Sequence, residues 1–135
     1  MQPYIGVSTP PIQSTQITST SNATTTSTSD VLMTGMTVTP IAGTYLVLFS
    51  AVVQQNDAGN SATVSIYSAG VQDPASVRDF APFDGGTLSA VNASCVCAIQ
   101  GVYTVNGSQV IQVEWHVSAG TGTVFQRNLI LIKIG

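Results

Sequence analysis

The segment Gly43 to Val53, GTYLVLFSAVV, puts apolar side chains on both faces of an extended chain: Tyr45, Val47, Phe49, Ala51 and Val53 alternate with Leu46, Leu48 and Val52. The last segment, Asn128 to Gly135, repeats the pattern, with Leu129 and Leu131 opposing Ile130, Ile132 and Ile134. Elsewhere the alternation is of the half-solvated kind. In VIQVEWHVS, Ile111, Val113, Trp115 and Val117 share a face and Gln112, Glu114, His116 and Ser118 share the other. In VNASCVCAI, Val91, Ala93, Cys95, Cys97 and Ile99 lie opposite Asn92, Ser94, Val96 and Ala98. An antiparallel sheet ordinarily buries one face and wets the other. Two strands with no wet face therefore predict a sheet covered from outside, and a patch of that kind marks a subunit interface.

From Asp30 onward no stretch sustains a 3.6-residue period. Turn signals come at regular intervals: TPIAG at Thr39 to Gly43, NDAGN at Asn56 to Asn60, Asp73-Pro74, Asp84 to Gly86, Asn106-Gly107 and SAGTG at Ser118 to Gly122. Short strands at that spacing predict an all-β sandwich over residues 30–135. The first 29 residues read differently. Twelve of the sixteen positions from Ser14 to Ser29 are Ser or Thr, and three prolines lie ahead of them. Such a composition predicts an extended arm held by its neighbours, with Tyr4, Ile5 and Ile12 as its anchors. Because Thr favours strands, the tract from Gln16 onward can instead add an edge strand to the sandwich.

At 135 residues the chain fits one domain. Charged residues make up 7% of it, against about 25% in an average soluble domain, so its polar surface must be Ser, Thr, Asn and Gln. Three basic residues against six acidic ones leave no basic patch, which argues against nucleic acid and anionic membranes as partners. The first thirty residues carry no basic and apolar leader pattern, and no apolar run is long enough to span a bilayer as a helix. Cys95 and Cys97, at i and i+2 on one strand face, have poor geometry for a mutual bond and read as buried thiols, at home in a reducing cytoplasm. The triplets at Asn22, Asn92 and Asn106 match the glycosylation pattern, which a chain this rich in Ser and Thr produces by chance.

Candidate chemistry is sparse. His116 is the one histidine, with Glu114 on the same strand face, and no Gly-x-Ser-x-Gly elbow accompanies it, so a surface pair is the expectation rather than catalysis. Asp73, Asp79 and Asp84 fall in one loop region whose spacing matches no calcium loop and which Pro74 and Pro82 interrupt. Arg78 and Arg127 can serve intersubunit or local ion pairs. Trp115, among apolar strand companions, reads as core rather than as a stacking platform. No enzymatic activity, metal or cofactor is expected.

The stretch TGMTVTPIAGTY, Thr34 to Tyr45, resembles the tumour necrosis factor and C1q-like jelly rolls through Gly35, Pro40, Gly43 and Tyr45. The strand after Gly43, the hairpin near VNGSQ and the apolar last strand are similar to C1q-like modules of bacteriophage structural proteins, over Leu32 to Gly135. The resemblance implies an antiparallel jelly-roll sandwich that trimerises around a threefold axis with the central and final strands near it. The expected interface is then Tyr45, Val47, Phe49, Leu129, Leu131, Ile132 and Ile134. No collagen-like or heptad stalk precedes the domain, and LILIKIG replaces the aromatics common near the C1q-type terminus. Those departures point away from a secreted immune protein and toward a virion protein. The expected role is a trimeric decoration protein on the capsid surface, bound to the major capsid protein through its arm and made in the host cytoplasm. The alternative is the receptor-binding head of a tail fibre.

Overall fold

The computed structural model describes residue 6 and residues 11–57, 59–80 and 93–135. Among these residues ten strands follow in chain order: β1 Ser14–Ser19, β2 Ala23–Thr25, β3 Val31–Val38, β4 Gly43–Gln55, β5 Ala62–Ser68, β6 Val71–Gln72, β7 Arg78–Phe80, β8 Ala93–Val105, β9 Ile111–Val117 and β10 Gly122–Lys133. Among the described residues the one helical turn is Pro74–Ser76, which Asp73 caps by accepting from Ala75 N at 2.9 Å.

The strands form two antiparallel sheets. One runs β1-β10-β4-β8, with β2 continuing the β1 edge of β10; the other runs β3-β9-β5-β6, with β7 beside β5. Between them lies a core of Met33, Met36, Val47, Phe49, Ile66, Trp115, Leu129 and Leu131, each at most 2% exposed, and their neighbours. The expected faces of β9 are the observed ones: Ile111, Val113, Trp115 and Val117 are buried, and Gln112, Glu114 and His116 are partly exposed.

The register of β3 shows how sequence sets local shape. Met33 and Met36 are three residues apart, yet both are fully buried, which strict alternation forbids. Pairing with β9 shifts between Leu32 and Thr37, and Gly35 takes φ +82° there, so a bulge turns the second methionine back into the core. Downstream, the buried Tyr45 donates its hydroxyl to Ile41 O at 2.9 Å and closes the turn that enters β4.

The Ser/Thr tract belongs to the sandwich. β1 pairs with β10 from Ser14↔Ile132 to Ser19↔Arg127, and β2 pairs with β10 from Ala23↔Val124 to Thr25↔Gly122. Among the described residues the sheet begins at Ser14, so the tract takes the edge-strand alternative. The physical reason is that an edge strand needs backbone hydrogen bonds more than apolar side chains; Ile17 and Ala23 are the partly buried side chains through which this segment packs on the core.

Candidate assembly surface

Every second residue of β4 and β10 that leaves the core points out of the β1-β10-β4-β8 sheet. Leu46, Leu48 and Val52 of β4 and Ile130 and Ile132 of β10 are only partly buried. On the edge strand β8, Val96 is 75% exposed and Val102 58%. Register aligns them in rows across the three strands. Ile132, Leu46 and Val102 form one row, Ile130 and Leu48 the next, and Val52 with Val96 lies further along. Ser50 and Asn128 pair between these rows and interrupt them with polar groups, and Asn128 Oδ1 accepts from Gln16 Nε2 at 3.1 Å. Two open hollows flank that polar pair. One, of about 370 Å³, is walled by Thr18, Val52 and Val96; the other, of about 440 Å³, by Leu48, Ala98 and Ile130. Among the described residues no strand or helical turn packs on this face.

Five of the seven residues expected at a trimer interface are not on that face. Tyr45, Val47, Phe49, Leu129 and Leu131 are 0–4% exposed within the single chain and fill its core. Ile132 and Ile134 are on the outer side, Ile134 58% exposed beyond the end of β10. The sequence reading placed Leu46, Leu48, Val52 and Ile130 in the two strands with no wet face without telling the outer side from the inner, and it did not single out Val102. A usable signal was present: Ser50 and Asn128 share strand parity with the outer residues, whereas the opposite parity is apolar from Tyr45 through Val53. Of the expected arm anchors, Ile12 is 80% exposed just ahead of β1, and Tyr4 and Ile5 lie outside the described residues.

The polar candidates serve as ties between strands. His116 pairs not with Glu114 but with Asp30, Nδ1 to Oδ1 at 2.6 Å, while Glu114 accepts from Gln112. The other Asp30 oxygen accepts from the Tyr67 hydroxyl and, at 3.1 Å, from Gln72 Nε2, so one carboxylate links the start of β3 to β5, β6 and β9. The bond to Asp30, followed by burial, pushes the Tyr67 phenol up to about 12. Asp73 accepts from the Tyr103 hydroxyl at 2.6 Å, and Tyr103 is raised by burial and then by that bond. Asp79 accepts from Thr63, and Asp84 lies outside the described residues. These carboxylates do not converge, and among the described residues no group of three His, Cys, Asp or Glu side chains can hold a metal ion.

Arg127 is the residue whose role differs most from expectation. It is 4% exposed and makes four bonds to three backbone carbonyls: Thr34 O through Nε and a terminal nitrogen, and Ser21 O and Phe125 O through the other. Burial lowers its pKa. Arg78 stays exposed and donates to Ala75 O and Val77 O. Cys97 is buried and Cys95 partly so; both are free thiols, and burial pushes Cys97 up to about 12 and raises Cys95. Trp115, at 1% exposure, is core as expected.

No family model matches the sequence, and no curated protein gives a match. Among solved structures the chain is similar to that of Eiger TNF from S. frugiperda, with 12% identity and a TM-score of 0.64, over 93% of this chain and 94% of that one. At so low an identity the likeness speaks to backbone architecture. The two antiparallel sheets, their strand order and this likeness together establish the fold of the chain as the jelly-roll sandwich of tumour necrosis factor and C1q-like proteins.

Proposed function

We propose that the chain is a structural protein that acts by assembly and not by catalysis: a homotrimer, joined through the outer face of the β1-β10-β4-β8 sheet, that decorates the capsid surface of a bacteriophage virion. The observation that carries the assembly step is the set of apolar rows Ile132-Leu46-Val102 and Ile130-Leu48 on that face, open among the described residues. Each square ångström of apolar surface removed from water contributes about 25 cal/mol, so covering these side chains favours association by several kcal/mol before the cost of ordering the partners. The tumour necrosis factor-like fold supports a threefold arrangement, and a trimer matches the local symmetry points of an icosahedral shell.

Attachment to the major capsid protein is assigned to the chain ahead of β1, where Ile12 stands free of the sandwich. The scarcity of basic residues supports a protein partner over nucleic acid or an anionic membrane. Electron microscopy of native particles tests the reading: trimeric density at the capsid threefolds is expected, and density at the tail tip would assign the chain to a fibre head instead. A chain lacking residues 1–12 retains every strand of the described residues and should still form trimers while losing its affinity for particles stripped of the protein.

A further inference from the structure

Of the six asparagines in the chain, only Asn106 is followed by a glycine. The pair makes the turn between β8 and β9, where Gly107 takes φ +92°, a conformation open to glycine without steric cost. Asn106 is exposed, and its Oδ1 accepts from the Ser108 N–H at 3.0 Å and from the Ser108 hydroxyl at 2.9 Å. Both bonds draw electron density from the side-chain carbonyl carbon. The Gly107 N–H and the Asn106 side-chain Nδ2 have no hydrogen-bond partner among the described residues, while the Asn106 backbone N–H donates to Gln109 Oε1 at 3.1 Å. The turn thus presents an activated electrophile, an uncommitted nucleophile with no Cβ to shield it, and a free leaving group, within two adjacent residues.

We infer that Asn106 is a site of spontaneous deamidation in the folded protein. Hydroxide removes the Gly107 amide proton, and the nitrogen attacks Asn106 Cγ to form a five-membered cyclic imide. The tetrahedral intermediate expels the side-chain nitrogen, which takes a proton from water and leaves as ammonia. Water then adds to one of the two imide carbonyls and opens the ring to aspartate or isoaspartate. Nothing is oxidised or reduced, and water is the one co-reactant.

The two products differ in consequence. Aspartate keeps both Ser108 donors, now on a charged acceptor, and holds the turn. Isoaspartate inserts a methylene into the main chain between the buried Val105 and Ile111, which anchor β8 and β9, and loosens their connection. Each event adds one negative charge to the chain, so the charge of the protein tracks the time since its synthesis.

The test is to incubate the full-length folded protein at mildly acidic and mildly alkaline pH, digest it with trypsin, and sequence the peptide Asp79 to Arg127 by mass spectrometry. That peptide contains Asn92 and Asn106, which fragment ions separate. The expected result is conversion at Asn106 well ahead of Asn22 and Asn60, faster at alkaline pH, with isoaspartate among the products, and slower in Ser108→Ala. A Gly107→Ala variant is not the control of choice, because a Cβ there would stand 3.2 Å from Ala42 N at a positive φ. Absence of conversion at Asn106 in the folded protein, under conditions where the urea-unfolded chain converts, would overturn the inference. Conversion of Asn22 and Asn60 in step with Asn106 would do the same.

Discussion

Arg127, in the middle of β10, donates to the carbonyl of Ser21 at 2.7 Å and so fastens the turn between β1 and β2 to the body of the sandwich. The same guanidinium holds Thr34 O of β3 through two nitrogens, at 3.0 and 2.8 Å, so one buried side chain joins three segments distant in sequence. Replacing Arg127 with Met strands the carbonyls of Ser21, Thr34 and Phe125 beside an apolar side chain. The expected cost is about 2–4 kcal/mol in urea unfolding, with faster amide exchange at the β1-β10 and β2-β10 pairings. Arg127→Lys should cost nearly as much, because an ammonium cannot reproduce the planar fork. Wild-type stability in either variant would show that these bonds contribute nothing.

Gly101 leaves room for the ring of Tyr103. A Cβ at position 101 would stand 2.0 Å from the Tyr103 hydroxyl oxygen, so the ring must swing away and release Asp73. Gly101→Ala is expected to destabilise the fold by about 1–3 kcal/mol despite its higher intrinsic propensity than glycine. Tyr103→Phe, which removes the hydroxyl and keeps the ring, should cost about 1 kcal/mol. The order of the two unfolding midpoints is the readout, and a Gly101→Ala protein as stable as wild type would contradict the packing described.

Alkaline stability follows from Tyr67 and Tyr103, both of which hold their protons more tightly in the folded state. A raised folded pKa contributes stability that is complete below the unfolded value, near 10 for a phenol, and is lost as pH rises through the folded value. For Tyr67 that window runs from about 10 to about 12. Chemical denaturation should therefore show stability falling across this range, and less steeply in Tyr67→Phe. Stability that rises with pH across the same range would reverse the assignment.

The thiols are expected to be inert. The Cys97 proton is held up to about 12 by burial, and Cys95, partly buried, donates to Val53 O at 3.7 Å. Alkylating reagents at neutral pH should leave Cys97 unmodified until the chain unfolds and label Cys95 slowly. Stoichiometric labelling of Cys97 in the native protein would place it on a surface.

The sandwich was legible in the sequence because turn chemistry and period-two alternation act locally, as the buried row of β9 illustrates. Which parity of β4 and β10 faces inward is marked in the sequence by Ser50 and Asn128 alone, since Leu46 and Val47 are equally apolar. The choice is made by partners far along the chain, Trp115 and Met33 among them, which fill the space in front of the inner row. The bond between His116 and Asp30 was hidden for a similar reason. Their 86-residue separation hides a cross-strand pair that only the β3-β9 register creates. Ser and Thr content left open a docking arm or an edge strand from Gln16 onward, and the edge of β10 supplies the partner that composition cannot show.

On the proposed reading, the outer face of Leu46, Leu48, Val102, Ile130 and Ile132 joins copies of this chain. Sedimentation equilibrium of the wild-type protein, beside Leu48→Asp and Ile132→Asp variants whose side chains point away from the core, tests it most directly. A trimeric wild type is expected, beside variants that sediment as folded monomers with an unchanged β-sheet spectrum. A wild-type protein that sediments as a monodisperse, folded monomer would contradict it.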